Sequence, residues 1–418
     1  MQPELTTSFN RRNDLRIEIG LGLMFFFHLM GPGLFTVSLG NILKDRGLED
    51  YIHIAMATGP VGCLIAPLMM GALADKRFDA GKILSVLYVG SGMSLYTAFH
   101  FLDTGEAPWT FVCAYGVHAL FITPTFGLIS AIAFNLLGER TNKFPRIRIW
   151  GTVGWIAAGW LVSGVLHAET STLGGKVAAV LSVILAVVCR FLPPMPPPDS
   201  VAPKGRRSLA SLFGFKAFAL LKNSDHRGLF VTAALLSIPI AAFYAYTPIL
   251  LREMGDQGST QTMTLGQVSE IVLLLLLPLL VRKVRLKWIL LGALVVGVLR
   301  YAFFTFGAMT AEMTWMIWGV ALHGLCYVGF FVTAQIYLAE RIEKKMRAQA
   351  QSLLVMLSGG VGTLVGIVMA GELFKLTAKS GELSDWVTFW GVLFITTLLA
   401  MTYFLITYRG AGAGPRQG

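Results

Sequence analysis

The sequence predicts an all-α integral membrane protein of twelve transmembrane helices arranged as two six-helix bundles. Three observations carry that prediction: a shortage of charge, the length of the apolar runs, and the placement of lysine and arginine. Only 14% of the 418 residues are charged and 55% are hydrophobic, where a soluble domain carries about 25% charged residues. A soluble chain so poor in charge could not cover its surface. The apolar excess falls into runs of about twenty residues or more, the length that crosses a ~30 Å hydrocarbon core as a helix. Within lipid each backbone N–H and C=O must be paired inside its own segment, so the runs must be helical. The weak ten-residue alternation of a membrane β-barrel is not seen.

Apolar runs and their polar breaks place the spans near residues 17–42, 51–74, 82–102, 107–137, 146–168, 174–193, 228–250, 262–281, 286–308, 313–339, 350–374 and 385–407. The first follows Arg11, Arg12 and Arg16. It is too long for a signal h-region and has no A-x-A-like cleavage site, so it reads as an anchor. Gly31-Pro32-Gly33 within it predicts a kink. The longest polar interval separates the sixth and seventh spans. It opens with Pro193, Pro194, Pro196, Pro197 and Pro198, which cannot continue a helix. Lys204, Arg206, Arg207, Lys216 and Lys222 follow. The chain therefore divides into an N-terminal bundle, 1–193, a basic cytoplasmic loop, 194–227, and a C-terminal bundle, 228–418.

The charge pattern sets the orientation. With a cytoplasmic N-terminus, 27 of the 34 Lys and Arg fall in cytoplasmic segments, six fall outside (Lys44, Arg46, Lys176, Arg252, Lys375 and Lys379), and Arg300 lies within a span. Such a bias, repeated loop after loop, puts both termini in the cytoplasm. It also accounts for the net charge of +11 without a nucleic-acid partner. Cys63, Cys113, Cys189 and Cys326 lie inside apolar runs with no CxxC spacing, so they read as small core residues and imply neither disulfide nor metal. There is no GxxxxGK[ST], HExxH or GxSxG, which leaves ATP-driven transport and membrane enzymes without support. No cofactor is expected.

In a bilayer the informative residues are those that break the apolar pattern. A charge at mid-membrane costs about 2.5–3.5 kcal/mol on insertion scales, so it sits at a helix end or serves a function. Glu270 lies in Leu265-Gly-Gln267-Val-Ser269-Glu270, followed by the wholly apolar Ile271 to Leu277. Gln267 and Glu270 are i and i+3 and share a helix face. A carboxyl group there can take up and release a proton; the competing reading is a structural ion pair, with Arg300 as the partner. Arg148, in Phe144-Pro-Arg-Ile-Arg148-Ile-Trp-Gly151-Thr152-Val-Gly-Trp155, shares a face with Thr152 and Trp155 at i, i+4 and i+7. Pro145 suits the first helical turn, and Gly151 and Gly154 allow close helix approach. The alternative is that Arg148 is a positive flank residue like Arg146. Arg300, in Val298-Leu-Arg300-Tyr301, is a buried charge that needs a partner, and a structural or gating role is expected of it. His28, His53, His118 and His323 read as inter-helix hydrogen-bonding groups rather than a proton relay.

The stretch Phe144-Pro-Arg-Ile-Arg-Ile-Trp-Gly-Thr-Val-Gly154 resembles the FPxIRIWGTxG element of the nucleoside:H⁺ symporters of the major facilitator superfamily. The likeness extends to Gly71-Ala-Leu-Ala-Asp75-Lys76, Pro124-Thr125-Phe-Gly-Leu-Ile129, Phe213 to Lys222, Gln267-Val-Ser-Glu270, Leu299-Arg300-Tyr-Ala-Phe-Phe304, Arg347-Ala-Gln-Ala-Gln351 and Asp385-Trp386. The resemblance implies a twelve-helix facilitator fold, monomeric, in the bacterial inner membrane, that imports nucleosides with protons. It implies substrate binding by Arg148, Thr152, Gln267 and Glu270, proton coupling at Glu270, and a structural or gating role for Asp75 and Lys76 beside Arg300. Trp155 stands where the family usually has Phe and can still stack on a base.

Two departures stand out. The family carries polar amides in span 7, where this chain has Ile240-Ala241-Ala242-Phe243, and an acidic residue in span 10, where this chain has Val328 after Tyr327. A site with fewer hydrogen-bonding groups discriminates less. His323 and Tyr327, at i and i+4, are placed to substitute as binding residues. The alternatives are a facilitator of another polar solute, such as a sugar, polyol or organic ion, and a non-transporting sensor on the same fold.

Overall fold

The computed structural model describes residues 3–74, 79–193, 215–343 and 346–410. Asp75, Lys76 and most of the basic central loop lie outside the described residues. Among the described residues the regular structure is helical throughout, with no strand. The helices are α1 Pro3–Gly33, α2 Leu39–Asp45, α3 Ile52–Ala74, α4 Ala80–Thr104, α5 Pro108–Leu137, α6 Phe144–Trp160, α7 Leu173–Cys189, α8 Ser224–Glu253, α9 Ser259–Lys283, α10 Leu286–Thr310, α11 Met313–Arg341, α12 Arg347–Thr377 and α13 Leu383–Thr407. Eight are long and apolar enough to cross a membrane: α1 from Leu15, α5, and α8 to α13. Helices also occupy the other expected intervals, as α3, α4, α6 and α7.

Local sequence explains most of the boundaries. Asp79 caps α4, its carboxylate accepting from the Lys82 N–H at 3.1 Å, and Gly105 ends it in the left-handed conformation, φ +69°. Pro108 opens α5 and Pro145 lies in the first turn of α6, where a missing N–H costs nothing. Asn223 caps α8 by accepting from the N–H groups of Asp225 and His226. Gly31-Pro32-Gly33 does more than kink the first span. α1 stops at Gly33, a turn follows, and α2 begins at Leu39, because glycines on both sides of a proline weaken the helix beyond repair by its neighbours.

The chain forms two compact units, Met1–Thr36 with Met69–Gly205 and Val37–Leu68 with Arg206–Gly418. The division differs from a cut at the central loop, since α2 and most of α3 pack with the second unit. In the first unit Leu21, Met24 and Phe25 of α1 pack on Leu84, Leu87 and Tyr88 of α4 and on Leu128, Ile129 and Ile132 of α5. α6 meets α1 through glycines, as their spacing predicts: a β-carbon on Gly154 would stand 2.0 Å from the Phe26 carbonyl oxygen. In the second unit α8 is the central helix, with Leu229, Phe230, Ala233 and Leu236 packed on Leu290 and Leu294 of α10 and Phe330 and Ala334 of α11. α2 docks in the same unit. A β-carbon on Gly40 would lie 2.6 Å from the Ala245 carbonyl, Asn41 donates to the Ser259 hydroxyl at 3.0 Å, and Lys44 pairs with Glu253, which also accepts from Trp386 Nε1 at 2.6 Å.

Candidate functional site

The polar residues singled out in the second unit converge on one place. α9 supplies Gln267, buried, and Glu270, half-buried; α11 supplies His323, wholly buried, and Tyr327, which is exposed. α9 and α11 can approach because Gly324 has no side chain: a β-carbon there would stand 2.0 Å from the Glu270 amide nitrogen and 2.5 Å from the Ser269 carbonyl carbon. The Ser269 hydroxyl locks the crossing. It accepts from the Gly324 N–H at 3.0 Å and donates to the Gly266 carbonyl at 2.9 Å. Glu270 is therefore seated by backbone contact between two helices.

Two residues that the sequence did not mark as functional complete the cluster. Tyr244 of α8 meets His323 Nε2 through its hydroxyl at 2.8 Å. Phe243 stacks on His323, centroids 4.8 Å apart and planes 21° from parallel, and His323 stacks on Tyr327 at 5.6 Å. One signal was available: Tyr244 adjoins the Ile240–Phe243 stretch, where amides were missed, and carries a hydroxyl beside that gap.

Arg300 of α10 is fully buried. Its partners are the Gly319 carbonyl, at 3.1 Å from Nε, the Tyr301 hydroxyl, at 3.4 Å, and the ring face of Phe243, 3.8 Å from the guanidinium carbon. None is a carboxylate. Stacking on a desolvated aromatic face contributes about 2 kcal/mol, and the neighbouring rings of Tyr301 and Phe304 extend that box. Arg300 thus supports the ring on which His323 rests.

In the first unit Arg148 is exposed, one turn into α6, Thr152 is buried and Trp155 half-buried. Trp155 packs beside Gly33 of α1. The span histidines each have a partner, as expected of inter-helix groups: His28 with the Tyr88 hydroxyl at 2.8 Å, His118 with the Ser91 hydroxyl at 3.0 Å, and His53 with Glu372 at 3.6 Å. Among the described residues no group of His, Cys, Asp and Glu could hold a metal ion.

After Tyr327 the helix opens into a π turn, Val328–Val332, and such turns recur at functional sites. Val328, where the resemblance leads to an acidic residue being expected, is fully buried within it.

Apolar helices long enough to cross a membrane, with polar groups gathered between them, are the arrangement expected of a solute transporter. The fold superposes on the crystal structure of the nucleoside transporter NupG with a TM-score of 0.81, covering 94% of this chain and 99% of that one at 22% identity. The chain belongs to the nucleoside H⁺ symporter family, whose model matches residues 15–412. It is 30% identical over 403 residues to the putative nucleoside transporter YegT of Escherichia coli K12, covering 93% of each chain. It is 25% identical over 412 residues to the xanthosine permease of the same organism, covering 94% of this chain and 96% of the relative. The family is one of transporters, not enzymes.

Proposed function

We propose that the chain imports nucleosides together with protons across a bacterial inner membrane by alternating access. One observation carries the reading: a family match over almost the whole chain coincides with a buried carboxamide and a carboxyl group, Gln267 and Glu270, inside an apolar span. Glu270 carries the proton, and Gln267, His323 and Tyr327 hold polar or flat parts of the solute. Arg148, Thr152 and Trp155 are further substrate-binding residues in this reading. Arg300 is structural. Twelve spans in two six-helix bundles, both termini in the cytoplasm, and action as a monomer complete the proposal, and the Lys and Arg asymmetry supports the orientation. Asp75 and Lys76 retain their proposed gating role on the strength of the resemblance.

The energetics suffice. One charge moving through 100 mV supplies about 2.3 kcal/mol, roughly 50-fold accumulation at ~1.4 kcal/mol per decade. The test is uptake of radiolabelled uridine and adenosine into vesicles holding the protein, with and without a protonophore. Concentrative uptake that collapses with the protonophore is expected. Accumulation that ignores it would remove the coupling, and no uptake of any nucleoside would remove the substrate class.

A further inference from the structure

The end of α13 is pinned to the start of α8. The buried Asp225 carboxylate accepts from the N–H groups of Arg409, at 2.7 Å, and Gly410, at 3.2 Å. Lys287 of α10 donates to the Arg409 carbonyl at 3.4 Å, and a β-carbon on Gly410 would stand 3.3 Å from its Cδ. Two stretches 122 positions apart are thereby held side by side. Arg409 is exposed, and it joins Arg282, Lys283 and Arg285, all exposed at the turn from α9 to α10.

With Lys287, five cations share this patch of the second unit. Among the described residues, the side chains of Arg282, Lys283, Arg285 and Arg409 have no ion pair and no hydrogen bond. Cations elsewhere are matched: Lys44 with Glu253, Lys176 with Asp103, Lys379 with Asp50, and Arg140 and Lys143 with Glu18. Asp225 is at hand, but it is buried and its Oδ1 is taken by two N–H groups. The cytoplasmic bias of Lys and Arg explains why cations occur here. It does not explain why the fold adds Arg409 to a turn that is already basic and unpaired. Like charges this close repel, and an anion among them relieves the repulsion.

The surface leading away from the patch is apolar. Trp288 and Leu299, at i and i+11 on one face of α10, are 56% and 46% exposed. Leu399 and Ile406, at i and i+7 on α13, are 62% and 72% exposed. Both stripes run from the basic end of their helix towards its middle, and an exposed tryptophan at a span end marks the membrane–water interface. A soluble anion would use the cations and leave the stripes. A ligand that joins an anionic head to apolar chains uses both.

We propose that this patch docks an anionic phospholipid, its phosphate held among Arg282, Arg285, Lys287 and Arg409 and its acyl chains lying along α10 and α13. Basic clusters beside span ends recognise such headgroups. The topology proposed above puts the lipid in the inner leaflet; the binding itself needs no solute and stands apart from the nucleoside reading.

The test is native mass spectrometry of the full-length protein after equal exposure to phosphatidylglycerol and phosphatidylcholine. Wild type should retain phosphatidylglycerol over phosphatidylcholine by at least about fivefold, and Arg282→Gln/Arg285→Gln/Arg409→Gln should bring the ratio below about twofold. Arg16→Gln/Lys82→Gln/Arg190→Gln removes the same charge outside the patch and should keep the wild-type ratio. All six residues are exposed, so both variants keep the fold. No preference in wild type, or an equal loss in the two variants, overturns the site. Glycerol phosphate, a headgroup without chains, should fail to displace the lipid when added in excess. Displacement would make the patch a site for soluble anions and overturns the lipid as its occupant.

Discussion

Gly324 lies against the backbone of Glu270 so closely that a β-carbon on it would stand 2.0 Å from the Glu270 nitrogen. The seat of the proposed proton carrier is thus set by a residue with no side chain on a neighbouring helix. Gly324→Ala must push α11 away from α9, because the obstructing atoms are backbone and cannot rotate aside. Overpacking of this kind costs about 1–3 kcal/mol or more. A lowered melting temperature and loss of uptake are expected. Gly292→Ala in α10, where an added β-carbon meets nothing within 4 Å, is the control and should melt as wild type does. Equal behaviour of the two variants would show that the close approach does not matter.

Arg300 makes the opposite case, a large charged side chain that the packing demands. Arg300→Lys keeps the charge but loses the flat stack on Phe243 and the Nε donation to Gly319. A hydrogen bond from a charged group is worth about 1.5–3 kcal/mol, so a destabilisation on that order is expected in thermal unfolding. Because Phe243 carries both Arg300 and His323, weaker uridine binding should accompany it. A lysine variant with wild-type stability and affinity would deny Arg300 the supporting role.

How far the sequence alone reaches is visible in these residues. Apolar runs locate the helices because lipid allows no other use of them, and Pro145 and Gly154 declare their roles through backbone chemistry that needs no partner. Gln267 and Glu270 are legible because polar atoms in a span are costly. Tyr244 is not, since an aromatic residue in a span is ordinary until its hydroxyl is seen against His323. Nor is the aromatic box of Arg300: its sequence neighbour Tyr301 hints at it, but Phe243 comes from a helix more than fifty positions away. The grouping of Val37–Leu68 with the second unit was equally hidden, because it rests on contacts such as Asn41 with Ser259 that no local pattern encodes.

Asp50 and Lys379 form an exposed pair, 2.8 Å apart. The Lys379 ammonium holds the Asp50 carboxyl below its ordinary 3.8, and Asp50 in turn raises Lys379 above its ordinary 10.5. The stabilisation from Asp50 is present above 3.8 and is lost as pH falls through the lowered value. The share from Lys379 is present below 10.5 and is lost as pH rises through the raised one. Neither group titrates between pH 5 and 8. Asp50→Asn should therefore lower the melting temperature slightly, by the same amount across that range, and less in high salt. A difference that grows or vanishes between pH 5 and 8 would mean that another titrating group acts through this pair.

Glu270→Gln isolates the proton from the solute. The amide keeps the size and hydrogen-bonding reach of the acid while losing the ability to ionise, so the backbone seat against Gly324 should survive. A symporter whose coupling carboxyl is fixed in its neutral form can still cycle with solute bound on both sides of the membrane, but it cannot convert a proton gradient into a solute gradient. Counterflow of uridine in vesicles preloaded with uridine should persist, within about threefold of wild type, since the removed charge acts on coupling and not on the solute's main contacts. Concentrative uptake driven by an imposed pH gradient should fall to the level of protein-free vesicles. If the variant still accumulates uridine against its gradient, the proton travels by another group. If it loses counterflow as well while melting like wild type, Glu270 holds the solute directly and its charge is part of binding.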